Sequence, residues 1–238
     1  MQYHAMNPNE ILCLSGWAQS ANALSGQVTK LSGHAAQGFN YLSLTPEMAL
    51  EKLGAYPHRY YLGWSLGGTL LMEAWKRGRI QPEKIFLITT PFAFLPAANC
   101  PVAMSPENFL NFSLRYKQQP QKTLGRFRQL ILHGDDRQSE ITPLLDSCDD
   151  ESMQPSSGSE WLEWLGRVNF STTSWPNDAS IELCLLAGAK DAIVPAAQAD
   201  YWKKSLPKAE LHLMPEAAHA PHLHAPERFG RLIQEFFR

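Results

Sequence analysis

A serine, an aspartate and a histidine can form a nucleophilic device when a fold brings them together, and this chain spaces them in a usable order. Gly63-Trp64-Ser65-Leu66-Gly67 has the form G-x-S-x-G. In that pattern the serine sits on a tight turn between a strand and a helix, with its hydroxyl thrust out of a sheet. A serine hydroxyl is a weak nucleophile until a base takes its proton. His219 can be that base, and Asp191 lies between the two, giving the order serine, acid, histidine. In these roles Ser65 attacks a carbonyl, His219 takes its proton, and Asp191 fixes the imidazole tautomer and steadies the imidazolium. The chemistry implied is acyl transfer.

Such chemistry also needs two N–H donors aimed at the tetrahedral oxyanion. The amide of Leu66, next to the nucleophile, is expected to be one. The amide of Trp17, in the loop Ser15-Gly16-Trp17-Ala18, is expected to be the other, with Gly16 allowing the sharp turn. His219, His222 and His224 stand close enough to raise a zinc reading. Pro221 interrupts the helix that would align them, and no Glu, Asp or Cys set stands nearby at ligand spacing. No metal and no organic cofactor are expected. His222 and His224 read as surface or helix-entry residues, and His4, His34, His58, His133 and His212 as structural or solvated.

These residues need strands and helices to hold them. Glu10–Ser15, Phe39–Leu44, Arg59–Trp64 and Lys84–Thr89 are short apolar or aromatic runs and read as strands. Ala21–Leu31, Pro46–Leu53 and Leu66–Gly78 between them read as helices. This alternation argues for a mostly parallel sheet covered by helices on both faces. The rhythm breaks after Pro91, in a stretch rich in proline and aromatics. A structureless loop of that length is implausible inside a compact domain, so residues 91–179 are expected to form a helical lid. Within it, Asn108–Tyr116, Gln121–Leu132 and Ser159–Val168 carry helical patterns, and Asp149–Ser159 reads as flexible. The rhythm returns with strand Ser180–Leu186, a helix near Pro195–Ser205, strand Ala209–Met214 and helix Pro226–Phe237. Residues 1–90 and 180–238 are thus two parts of one core. Asp191 and His219 both follow strand C-terminal ends, where ligands gather in open α/β sheets.

The 238 residues suffice for one core with an insertion. A formal net charge of −2 gives no reason to expect nucleic acid or a membrane surface as partner. No run approaches the roughly 20 apolar residues that span a bilayer, and Met1 to Pro8 lack the basic start and apolar stretch of a secretory signal. Cys13, Cys100, Cys148 and Cys184 are scattered, which favours free thiols in a reducing cytosol. A cytoplasmic monomer is expected. Between Asn108 and Gly134 stand five basic residues, Arg115, Lys117, Lys122, Arg126 and Arg128, and no acidic ones, whereas Asp135 to Glu163 is acidic. A basic helix face beside an active-site mouth could steer an acidic partner.

Four segments carry a resemblance: Leu14-Ser15-Gly16-Trp17, Gly63-Trp64-Ser65-Leu66-Gly67-Gly68, Gly188-Ala189-Lys190-Asp191-Ala192-Ile193-Val194-Pro195 and Ala217-Ala218-His219-Ala220-Pro221. They resemble the pimeloyl-[acyl-carrier protein] methyl ester esterases of biotin synthesis, over most of the core and more weakly in the lid. The resemblance implies an α/β-hydrolase fold and a serine carboxylesterase that frees the ω-carboxylate of a pimeloyl-type methyl ester on acyl-carrier protein. It implies Trp17, Trp64 and the run Phe127, Arg128, Gln129, Leu130 and Ile131 as substrate contacts. It also implies Lys122, Arg126 and Arg137 as contacts to the carrier protein. The chain departs from the family in Ser15, where a histidine is common, in a short segment ahead of the first core strand, and in lacking a further lid arginine. Two other readings stand beside it: a broad short-chain carboxylesterase or thioesterase with the same triad, and a non-catalytic binding relative.

Overall fold

The structure is a computed structural model that describes residues 9–55, 57–176 and 181–238. The readings of Met1 to Pro8, His4 and Ser180 lie outside the described residues. Six strands, β1 (Ile11–Leu14), β2 (Ala36–Gly38), β3 (Tyr60–Trp64), β4 (Lys84–Ile88), β5 (Glu182–Gly188) and β6 (Glu210–Met214), form one sheet in the order β2-β1-β3-β4-β5-β6. Every neighbouring pair is parallel. The apolar runs of β1, β3, β4 and β5 are buried almost throughout, as strands covered on both faces must be.

Helices α1 (Ala21–Ser32), α2 (Pro46–Gly54) and α3 (Leu66–Lys76) connect the first strands. Ser20 caps α1 by accepting from the Ala23 amide, and Gly33 ends it with φ 76°. Four helices follow β4: α4 (Pro106–Gln118), α5 (Pro120–Ile131), α6 (Gln138–Asp146) and α7 (Pro155–Leu165). The chain then returns through β5, α8 (Gln198–Ser205), β6, the single turn α9 (Pro221–His224) and α10 (Pro226–Phe236). The side chains of Phe86 on β4 meet Phe229 and Phe236 of α10, and α10 packs on α1. Elsewhere Trp75 of α3 stacks on Trp175, which lies against Trp202 of α8. All four cysteines are free and buried. No helix among the described residues is long and apolar enough to cross a membrane.

The structure corrects three local expectations. The strand read at Phe39–Leu44 lies earlier, at Ala36–Gly38. Phe39, Tyr41 and Leu42 are buried because they form a packed loop that receives α7. Tyr41 meets Trp161 edge-on, and the Trp161 indole donates to the Leu44 carbonyl at 3.0 Å. The true strand carries glycine because a Cβ at Gly38 would press to 2.7 Å from the Ala21 carbonyl carbon. Helix α6 was not expected, since Pro143 lies inside it. The stretch 149–159 is not wholly flexible, since α7 begins at Pro155. Gly158 sits in that helix because the Tyr116 ring comes so close that a Cβ would lie 2.9 Å from Cζ.

Candidate active site

The elbow expected at Ser65 is a strained turn joining β3 to α3. Ser65 has φ 51° and ψ −115°, a conformation that costs a non-glycine residue about 1–3 kcal/mol. The neighbouring backbone holds it: the Ser65 amide donates to the Ile88 carbonyl at 2.9 Å, and the Ser65 carbonyl accepts from the Thr69 amide at 3.0 Å. The flanking glycines are there for space. A Cβ on Gly63 would stand 2.5 Å from Gly68 Cα, and one on Gly67 would press into the carbonyls of Leu14 and Ser15. Gly67→Ala must therefore separate α3 from β1. We expect it to lower stability by about 1–3 kcal/mol, read as a fall in Tm with loss of soluble protein; an unchanged Tm would mean that the close approach is unimportant.

Asp191 and His219 come together from the ends of β5 and β6. Asp191 Oδ2 lies 2.6 Å from His219 Nδ1. The other carboxylate oxygen, Oδ1, accepts from the amides of Ile193 at 2.8 Å and Val194 at 2.9 Å. Both side chains are almost wholly buried. The His219 backbone is held at each end: its amide donates to the Ile131 carbonyl at 3.0 Å, and its carbonyl accepts from Trp64 Nε1 and Thr89 Oγ1. Nε2 of His219 is buried and has no hydrogen-bond partner among the described residues. A buried polar atom left open invites a functional explanation. With Nδ1 held by Asp191, Nε2 is the nitrogen that could accept a proton, and such contacts often tighten only when substrate binds.

The amides of Trp17 and Leu66 donate to nothing among the described residues. The loop that carries Trp17 makes a tight turn from Gly16, whose carbonyl accepts from the Gln19 amide at 3.1 Å, and the positive φ within it, 62°, falls on Ala18 and not on the glycine. Its indole donates to the Gly158 carbonyl at 3.0 Å, and its ring lies edge-on to Phe112, Tyr116 and Phe127. Trp17 and Ser65 thereby form the base of an apolar cavity walled by Phe94, Met104, Phe109, Phe112, Phe127, Leu130, Leu162, Leu165 and Ile193. The walls close on one another and leave about 40 Å³. A second, polar cavity of about 240 Å³ lies on the far side of Phe127, lined by Gln19, Arg128 and Asp149 and not by Ser65.

The run expected to line the acyl channel is only partly there. One face of a helix repeats every three to four residues, so of residues 127–131 on α5 only Phe127 and Leu130 reach the apolar cavity. Arg128 turns aside to a salt bridge with Asp149, Gln129 is exposed, and Ile131 is buried, with its carbonyl on His219. Trp64 is likewise displaced: its indole serves the His219 carbonyl, and its ring meets His222 at 4.5 Å. His222 is buried, not at the surface. Burial, helped by nearby His219, pushes its imidazole down to about 3, so it stays neutral. His224 pairs with Asp135 at 2.8 Å, and Asp136 lies near, carboxylates the sequence reading did not place there. The three histidines thus turn to three different partners.

On the lid surface, Lys122 and Arg126 are exposed on α5, with no ion-pair partner among the described residues. Lys117 is paired with Glu163, and Arg137 is held by Glu140 and the His224 carbonyl. The acidic stretch thus neutralises part of the basic one.

The sequence matches the family described as "Alpha/beta hydrolase family" over residues 16–232. It is 26% identical over 235 residues to a pimeloyl-[acyl-carrier protein] methyl ester esterase of Nitrosomonas europaea, covering 94% of this chain and 93% of that protein. A protein of the same name from Neisseria meningitidis is 30% identical over 182 residues, or 74% of this chain and 68% of that one. Among solved structures, an esterase from Exiguobacterium antarcticum superposes with a TM-score of 0.73 at 15% identity, over 96% of this chain and 91% of its own.

Proposed function

The chain belongs to the alpha/beta hydrolase family and, within it, to the pimeloyl-[acyl-carrier protein] methyl ester esterases, and from that premise we propose that it cleaves the methyl ester of a pimeloyl-type chain carried on acyl-carrier protein. The observation that carries the reading is the Asp191–His219 pair with its open Nε2, tied through the His219 carbonyl to Trp64, the chain neighbour of a strained Ser65 that lines an apolar cavity.

In this reading Ser65 Oγ attacks the ester carbonyl while His219 Nε2 takes its proton. Asp191 keeps Nδ1 protonated and steadies the imidazolium. The amides of Trp17 and Leu66 receive the oxyanion, donors worth about 3–4 kcal/mol each where single ones have been removed. Collapse of the tetrahedral intermediate expels methanol, protonated by His219, and leaves the acyl chain on Ser65. Water activated by His219 then releases the free carboxylate. The methylene chain lies against Phe127 and Leu130, and the carrier protein sits outside, on the α5 face that bears Lys122 and Arg126.

Exposed charge contacts of this kind are worth about 1 kcal/mol or less each and are screened by salt. Reversing both Lys122 and Arg126 to Glu is expected to raise KM several-fold for an ester on acyl-carrier protein, and more at low ionic strength. Turnover of a small free ester should hardly change. Equal behaviour on the two substrates would remove the carrier from this face.

The narrowness of the cavity favours a second reading, a carboxylesterase for short acyl chains. Wild-type enzyme indifferent to the carrier would support it, as would failure to restore growth of a biotin auxotroph that lacks its pimeloyl-ester esterase.

A further inference from the structure

Beside the residues that perform the chemistry stands a carboxylate that none of the steps above uses. Asp135 lies between α5 and α6, and its side chain is completely buried. Oδ2 accepts from the Ala218 amide at 3.0 Å, and Oδ1 accepts from the Arg137 amide at 2.9 Å. Oδ1 also lies 2.8 Å from Nδ1 of His224. A carboxylate so buried needs such partners to remain in place. The nearest other carboxylate, Asp136, is half-exposed and 3.7 Å from the same imidazole nitrogen. Asp135, Asp136 and His224 are close enough to share a cation. Both Asp135 oxygens, however, already face amide N–H groups, whose dipoles repel a cation.

Ala218 immediately precedes His219, and the next amide, that of His219, donates to the Ile131 carbonyl at the end of α5. One lid segment, residues 131–135, thus holds two successive amides of the histidine loop, one through its backbone and one through a side chain. The core holds the rest: Asp191 takes the ring, and Trp64 and Thr89 take the carbonyl. Helix α5 also supplies Phe127 and Leu130 to the cavity.

We propose that Asp135 is a positioning residue for His219, fixing the histidine loop to the lid so that Nε2 can reach Ser65. The inference rests on the serine–histidine–aspartate reading above. The lid then does more than cover the cavity, because any movement of its segment 131–135 is a movement of the general base.

The test compares Asp135→Ala, which removes the acceptor, with Asp135→Asn, which keeps an oxygen for the Ala218 amide, lets the His224 ring change tautomer, and gives up the Arg137 amide, a contact within the lid that should lower Tm and not kcat. Both are measured on a small free ester, with Tm recorded for each. A misplacement of about 1 Å costs about 10²-fold. Asp135→Ala should therefore lose about that much in kcat with KM within about two-fold, the signature of an interaction that matters in the transition state. Asp135→Asn should recover most of the loss. A normal kcat in Asp135→Ala, with Tm alone reduced, would overturn the proposal. So would an Asn variant as slow as the Ala variant at the same folded fraction. Where Asp135→Ala does not fold, Asp135→Ser takes its place, since its hydroxyl is too short to reach the Ala218 amide, and the same two results decide. Ser65→Ala is measured alongside: undiminished turnover there defeats the triad reading, whatever the Asp135 variants do.

Discussion

Replacing Ser65 by Ala is expected to lower kcat for any ester substrate by about 10⁵–10⁶-fold, the scale of nucleophile loss where triad members act as a unit. The fold should survive. The left-handed strain at residue 65 belongs to the backbone, which Ala occupies as Ser does, and Ser65 makes its structural bonds to Ile88 and Thr69 through main-chain atoms. Tm should accordingly stay near that of the wild type. A fluorophosphonate probe should label the wild type at Ser65 and leave Ser65→Ala unlabelled. Residual turnover above the uncatalysed rate is expected, because the substitution leaves untouched the Trp17 and Leu66 amides proposed for the oxyanion. Undiminished turnover, or labelling of a different serine, would move the nucleophile elsewhere.

The second large effect is expected from Asp191→Asn, about 10⁴-fold in kcat, and the geometry gives it a specific cause. Oδ1 of Asp191 is committed to two amide donors, those of Ile193 and Val194. An asparagine at this position must keep its oxygen there, because an NH₂ group would face two N–H donors. Its NH₂ then points at His219 Nδ1, now 2.6 Å from a carboxylate oxygen. That nitrogen is forced to become an acceptor, and the proton moves to Nε2. The ring is then in the wrong tautomer to take the serine proton. KM should change little, since Asp191 does not line the cavity. Asp191→Ala frees the ring from the wrong tautomer but leaves the imidazolium unsupported, so it too should be slow. An Asn variant within about ten-fold of wild type would mean that another group orients His219.

How much of this was legible in the chain follows from which signals are local. The parallel sheet could be read because strands buried on both faces have to be apolar runs, as Ile85–Ile88 and Leu183–Leu186 are. The elbow could be read because its glycines answer a local demand, the approach of α3 to β1 and β3. The positions of Asp191 and His219 could be read because each follows a strand end. Helix α6 stayed hidden because Pro143 is a local signal against helix, which tertiary packing of Ile141 and Leu145 overrides. Strand β2 stayed hidden because the larger apolar signal beside it, Phe39 to Leu42, serves the docking of α7.

The site divides along the same line. Residue types and chain order by themselves singled out Ser65, His219, Asp191 and the amides of Trp17 and Leu66 for the roles proposed here, since those roles follow from side-chain chemistry and from what a strand–turn–helix must look like. Only the tertiary structure decided the use of the side chains around them. It gave Trp64 to the His219 carbonyl, turned Arg128 to Asp149, seated Trp17 under the lid, and placed Asp135 from the acidic stretch beneath the histidine loop. Each of these contacts joins residues far apart in sequence, from 21 positions for Arg128 with Asp149 to 155 for Trp64 with His219. No periodicity or spacing records such a pairing, because a donor's partner is chosen by which surfaces the packed elements press together, and burial then obliges the polar groups that meet there to bond to each other.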